Sequence, residues 1–219
     1  MFKTAFSNGV TMKKSDEVKE RIIEATTRLI VQSDGDVMDI NTRAIAQEAQ
    51  VGTGLINYHF QTKENLIEIC VERMISKVIA AFDPAVQQQQ PAARLKQTAK
   101  LVFDFLVENP AVSRISILTD HKQPKADDNT MKSTGGMYRV LGGSGDLEVP
   151  GASGDPGNPG DPGSAQFLLT FALVSTMQAL FLRKEQSGEL FGYDIRVKAQ
   201  RDEALDLLVG TLFGGREDE

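Results

Sequence analysis

The chain has 219 residues, enough for one or two domains with a sizeable core, and its 41% hydrophobic and 25% charged residues are those of an ordinary folded protein. A net charge of −6 gives no overall basic footprint for nucleic acid, so any such binding must come from a local motif. The single cysteine, Cys70, excludes an internal disulfide framework and a multi-cysteine zinc site, and its place between Ile69 and Val71 suits a small buried apolar residue.

Residues 1–14 read as an N-terminal tail without the charged start and long apolar block of a secretory signal. Met12-Lys13-Lys14 offers a second start, which would make the preceding residues an extension. Ser15 suits the cap of a first helix, with Asp16 and Glu17 placed well for its dipole. Val18, Ile22, Ala25, Leu29 and Ile30 mark its apolar face, which ends near Ser33-Asp34-Gly35. Asn41 then suits an N-cap for a short helix opened by Thr42 and Arg43, with Ile45, Ala46 and Ala49 on one face. Gly52 is expected to form the turn and Thr53 to cap a second short helix, whose Leu55 and Ile56 pack inward. Thr53, Gly54, Asn57, Tyr58 and His59 then stay outside, where the second helix of a helix-turn-helix meets the major groove.

The strings T-R-A-I-A and G-L-I-N-Y-H-F-x-x-K-E-N-L resemble the DNA-binding signature of the TetR/AcrR family of bacterial transcriptional regulators, specifically over about residues 16 to 75. One departure is Gln50, which stands where the family usually has glycine in the turn; Gly52 is expected to take over the special backbone conformation. The resemblance implies an all-α protein: a three-helix DNA-binding domain over residues 15–62 and a helical regulatory and dimerisation domain over 63–219. It further implies a homodimer on a double-stranded DNA operator and a small-molecule effector.

From Lys63 a longer helix with Leu66, Ile67, Val71, Met74, Ile75 and Val78 runs toward Asp83-Pro84, placed to connect the two domains. Pro91 suits the first turn of the next helix, faced by Leu95, Ala99, Val102, Phe103 and Leu106. Asn109-Pro110 reads as a cap and first-turn proline, and a further helix is expected over Asp128 to Leu141 despite Gly135-Gly136. Residues 142–163 change character: glycine recurs at Gly151, Gly154, Gly157, Gly160 and Gly163, with Pro156, Pro159 and Pro162 each just before a glycine. These few collagen-like triplets cannot hold a triple helix alone, so a flexible insert is expected.

Ser164 to about Gln186 is apolar nearly all round, which asks for burial on two faces. Its apolar run Phe167 to Leu182 is broken by Thr170, Ser175, Thr176 and Gln178 and is shorter than the roughly 20 residues of a bilayer span, so no membrane partner and a cytoplasmic location are expected. Asp194 suits the cap of a last helix. Phe167, Phe171 and Val174 with Leu205, Leu208 and Leu212 are the expected dimer interface, two helices repeated about a two-fold axis.

Arg43 is the candidate base reader, since a guanidinium pairs bidentately with guanine; otherwise it pairs with Glu48 or Asp39. Thr42, Thr53, Tyr58, His59 and Lys63 can donate to phosphates, Gly54 permits close backbone approach, and Asn57 either reads a base edge or faces solvent. Phe103, Leu106, Ile115, Met131, Tyr138, Phe167, Phe171 and Met177 are candidates for an apolar effector cavity, with Asn109, Ser113, Thr170 and Gln178 to orient a ligand. No nucleophile elbow, phosphate loop or dinucleotide fingerprint occurs, and neither His59 nor His121 has metal-ligand spacing, so no catalysis, cofactor or metal is expected. Three readings remain open at this point: a ligand-released repressor, a regulator (or activator) without a ligand, and a helical interaction protein without specific DNA binding.

Overall fold

A computed structural model describes residues 14–33, 35, 40–80, 90–142 and 162–214. Among them every regular element is helical: α1 Lys14–Gln32, α2 Thr42–Ala49, α3 Thr53–Phe60, α4 Lys63–Ala80, α5 Pro91–Glu108, α6 Pro110–Lys122, α7 Asn129–Val140, α8 Pro162–Leu182, α9 Ser187–Phe191 and α10 Lys198–Phe213. The all-α expectation holds. The chain forms two compact units, dividing between Cys70 and Val71 within α4. The N-terminal tail and most of the Gly-Pro insert lie outside the described residues; Pro162 and Gly163, read as its end, instead open α8.

The first unit is built on the apolar face of α1. Ile22, Ile23, Ala25 and Ile30 are buried there with Ile45, Ala46 and Ala49 of α2, Ile56 and Phe60 of α3, and Leu66, Ile67 and Cys70 of α4. Cys70 fills the expected small apolar role, its thiol pointing at the Ile23 carbonyl at 3.6 Å. Several helix starts differ from their sequence signals. Ser15 lies inside α1 rather than capping it. Asn41 does cap α2, its Oδ1 accepting from the Ala44 N–H at 2.9 Å. Thr62, not singled out from sequence, caps α4 by accepting the Asn65 N–H at 3.1 Å.

The second unit has one core, in which Leu95, Ala99 and Phe103 of α5 meet Leu173, Val174, Met177 and Phe181 of α8 and Leu205 and Val209 of α10. Asn109 does stand between α5 and α6, but its side chain donates back to the Phe105 carbonyl at 3.1 Å and so finishes α5 instead of starting α6. Asp128 caps α7 through the Met131 N–H at 2.9 Å. Asp194 does not cap α10, which starts after Val197; its carboxylate accepts from the Arg196 backbone and guanidinium within a turn. α8 has 21 residues, so it is longer than the apolar run read from sequence and meets the length and composition of a membrane span. Its Thr170 and Gln178 are nonetheless buried beside the core residues, which gives this helix a packed face inside the unit.

Two charged side chains are buried in this unit with contrasting consequences. Arg201 on α10 donates to Asp104 of α5 at 2.6 Å and to the Ile195 carbonyl at 2.9 Å. Burial pulls the Asp104 carboxyl upward, but hydrogen bonds from Lys198 and Arg201 outweigh it and hold it below the usual carboxylate range. Asp120 on α6 makes no ion pair among the described residues. Burial pushes its carboxyl above the usual range, and hydrogen bonds from the Thr130 side chain and backbone offset this only in part.

Candidate nucleic-acid interface and effector cavity

α2 and α3 each contribute eight residues, and the turn between them sets their angle. The left-handed position in that turn is Gln50, with φ 54° and ψ 47°, and its N–H closes α2 on the Ala46 and Gln47 carbonyls. Gly52, expected to take this role, is extended at φ −74° and ψ 144° and serves as the N-cap of α3 without a side-chain bond. Thr53 is therefore the first helical residue and not the cap. The physical reason is the Schellman-type helix end, which requires the left-handed residue immediately after the last helical one, here position 50 and not 52. A β-carbon at Gly52 or Gly54 would meet nothing within 4 Å, so both glycines face open space.

Ile56 and Phe60 anchor α3 inward, whereas Leu55, expected to pack inward, is 40% exposed. Eight residues cannot bury adjacent positions 55 and 56 on one partner surface, because they point about 100° apart around a helix. The outward face carries Thr53, Gly54, Asn57 and Tyr58, all exposed, with His59 half-buried beside them. Tyr58 is 78% exposed, an unusual position for an aromatic ring, and stands edge-on to the His59 ring at 5.0 Å. At eight residues α3 is about 12 Å long, which suits insertion across a major groove about 12 Å wide.

Arg43 on α2 is exposed and makes no ion pair among the described residues. The alternative partner Glu48 is engaged by Arg28 of α1 at 2.8 Å, which leaves the Arg43 guanidinium available; Asp39 lies outside the described residues. Thr42 is half-buried at the start of α2. Lys63 opens α4 with its side chain 18% exposed and its ammonium 3.8 Å from Glu64, so any phosphate contact would have to draw it away from a neighbouring carboxylate. Thr42, Arg43, Thr53, Gly54, Asn57, Tyr58, His59 and Lys63 thus all belong to the first unit.

In the second unit a small cavity of about 50 Å³, partly open to solvent, is lined by Ile75 of α4, Val102, Phe105 and Leu106 of α5, Ser113, Ser116 and Ile117 of α6, Asn129 and Ser133 of α7 and Gln178 of α8. Of the sequence candidates, Leu106, Ser113 and Gln178 are here. Phe103, Ile115 and Met177 are buried elsewhere, Met131 is half-buried, Tyr138 and Phe167 pack edge to face at 5.4 Å, and Phe171 is exposed; none of them lines this cavity. Asn109 and Thr170 do not line it either. An amphipathic pattern marks what is apolar, so it does not find Ser116, Ser133 and Asn129, although half of the residues lining this mostly apolar cavity are polar.

Among the exposed apolar residues of α8 and α10 are Leu168 at 64%, Phe171 at 38% and Leu207 at 56%. Val174 and Leu205, expected at a dimer interface, are consumed by the protomer's own core, while Phe167, Leu208 and Leu212 are half-buried. Among the described residues no cluster of three or more metal-ligating side chains occurs.

A three-helix unit presenting a helix-turn-helix, followed by a separate helical unit, defines the helix-turn-helix class of DNA-binding proteins. Residues 22–70 match the model of the bacterial regulatory proteins of the TetR family. A curated HTH-type transcriptional regulator of Haemophilus influenzae is 28% identical over 97 residues, 44% of this chain and 51% of that protein, so the match spans about half of the relative's length. A TetR transcriptional regulator from Rhodococcus sp. RHA1 superposes with a TM-score of 0.59 at 14% identity, covering 94% of this chain and 100% of that one. FadR from Bacillus subtilis, solved in complex with stearoyl-CoA, gives 0.53 at 17% identity over 87% of this chain and 97% of its own. At these identities the structures establish the likeness of fold. The match covers the helix-turn-helix unit and the first part of α4, so residues 22–70 are similar to the DNA-binding domain of the TetR family of bacterial regulatory proteins.

Proposed function

We propose that this chain is a cytoplasmic, homodimeric repressor that binds a palindromic operator and is released by a small effector. The observation that carries the DNA-binding half is the outward face of α3, where Asn57 and the highly exposed Tyr58 stand next to glycines with open space above them. Arg43, exposed and without an ion pair among the described residues, would read a base edge, and Thr42, Thr53, Tyr58, His59 and Lys63 would hold phosphates. The exposed apolar residues of α8 and α10 would meet their copies across a two-fold axis.

The cavity in the second unit would hold the effector. A relative in fold, FadR, is described in complex with stearoyl-CoA, which supports a small-molecule role for this region in proteins of this shape. Ile75, on the cavity wall, belongs to α4, which begins three residues after α3 ends. Effector binding that shifts α4 would change the separation of the two recognition helices in the dimer, and a coupling of about 1–3 kcal/mol suffices for a several-fold to hundred-fold loss of operator affinity.

Selection of bound sequences from a random duplex pool tests the reading, with Arg43→Ala and Tyr58→Ala proteins in parallel. The wild type should recover an inverted repeat and the variants should not. Absence of enrichment by the wild type at low salt would overturn the proposal and favour a helical interaction protein.

A further inference from the structure

The polar end of the cavity is more specific than its hydrocarbon walls. Ser113 Oγ, Asn129 Oδ1 and Gln178 Oε1 are all buried without a hydrogen-bond partner, and all three residues line this one cavity. Ser113 is 1% exposed and Gln178 8%. Buried polar atoms are nearly always satisfied, so three orphans converging on one space mark a place where a partner belongs.

The orientation of Gln178 is fixed by what lies behind it. Both the backbone N–H and the hydroxyl of Thr130 donate to Asp120 Oδ2, each at 2.8 Å. The hydroxyl has one proton, and Asp120 receives it, so toward Gln178 it can only accept. Gln178 Nε2 fills that role at 3.0 Å, and a flipped amide would set two acceptors against each other. Its Oε1 is therefore held as the free acceptor. Asn129 uses its Nδ2 on Ser116 Oγ at 3.2 Å, which leaves its Oδ1 as a second acceptor. No lysine, arginine or histidine lines the cavity, and the chain of bonds behind Gln178 ends on the buried carboxylate of Asp120, which has no ion-pair partner among the described residues.

Resting on the reading of this cavity as the effector site, we propose that it takes a molecule with a compact apolar body and a hydrogen-bond-donating end, a hydroxyl or an ammonium, and rejects anionic heads. An ammonium has three N–H groups for three acceptors, and a hydroxyl satisfies at least one while accepting from Ser113. A carboxylate or phosphate would lose its hydration to acceptor oxygens and gain no cation, the costliest way to bury a charge.

Four molecules that share one apolar body test this with the full-length protein: 4-phenylbutan-1-ol, 4-phenylbutylamine, 4-phenylbutanoate and butylbenzene, followed by calorimetric titration and melting temperature. The alcohol or the amine should bind about tenfold or more tightly than both the carboxylate and the hydrocarbon. Gln178→Met, close in volume, should remove most of that preference while leaving butylbenzene binding in place, and Ser113→Ala should do so in part. A carboxylate that binds as tightly as the alcohol and amine, or donors no tighter than butylbenzene, would overturn the inference and leave the cavity reading standing. Failure of all four molecules to bind would overturn the cavity reading and this inference with it.

Discussion

At the scale of single residues, Gln50 shows how a local rule is satisfied by an unfavourable side chain. A left-handed backbone costs a residue with a β-carbon roughly 1–2 kcal/mol, and glycine escapes that cost. Gln50→Gly is therefore expected to raise stability by about 0.5–1 kcal/mol in denaturant titration, after glycine's larger unfolded-state entropy is subtracted. Asp104 holds the buried Arg201 guanidinium, so Asp104→Ala strands a charge and should cost about 2–3 kcal/mol by the same measurement. Half-buried Asp104 and buried Asp120 have opposite pH signatures. The Asp104 carboxyl is held low, so its contribution is present above the ordinary carboxylate range and is lost as pH falls through its folded value. The Asp120 carboxyl is pushed up, so its contribution is present below that range and is lost as pH rises through its folded value. Asp120→Asn, which keeps an acceptor for Thr130, should accordingly lose less stability than the wild type between pH 4 and pH 7, read from melting temperatures across that range.

At the scale of elements, legibility followed periodicity. α5, with its proline start and its Leu95-Ala99-Phe103 face, and α2, with its Asn41 cap, could be read because a single apolar stripe meets a single core. α8 could be located but not oriented. It is apolar all round, so nothing in its own sequence says which side faces inward; Val174 was expected outside and is buried, while Leu168 points out. α9 was not anticipated at all, since five residues carry too little pattern. The proposed dimer contact would then fall on the outward residues Leu168, Phe171 and Leu207. A Leu168→Glu/Leu207→Glu protein should sediment as a folded monomer with operator binding lost, whereas the same changes at Val174 and Leu205 should unfold the protein. A double variant that remains dimeric would place the interface elsewhere.

At the scale of the whole molecule, the proposed switch is a linkage between two sites on separate units, and linkage is reciprocal. If effector weakens operator binding by some factor, operator DNA must weaken effector binding by that same factor. Titrating the tightest of the phenylbutyl ligands into free protein and into the protein–operator complex should return equal factors. An effector affinity unchanged by DNA would leave the cavity without a regulatory role. The negative charge of the chain makes no difficulty for the proposed DNA binding, because the contacts would belong to one small helix and its neighbours and not to the mean composition.

The sequence by itself determined the all-helical class, the position of the helix-turn-helix, its likeness to the TetR-family DNA-binding domain, and the outward set on α3. Each of these is written in local spacing: a cap, a stripe with one orientation, or a contiguous motif. Tertiary structure decided that Gln50 and not Gly52 turns left-handed, that Val174 and Leu205 belong to the core, and that Ser113, Asn129 and Gln178 line one cavity. The physical reason is common to all three. An apolar side chain is core, interface or cavity wall according to what stands opposite it, and a polar one is satisfied or orphaned according to which partners the other helices bring. Those partners are 48 residues apart for Gln178 and Thr130, beyond the reach of any helical period.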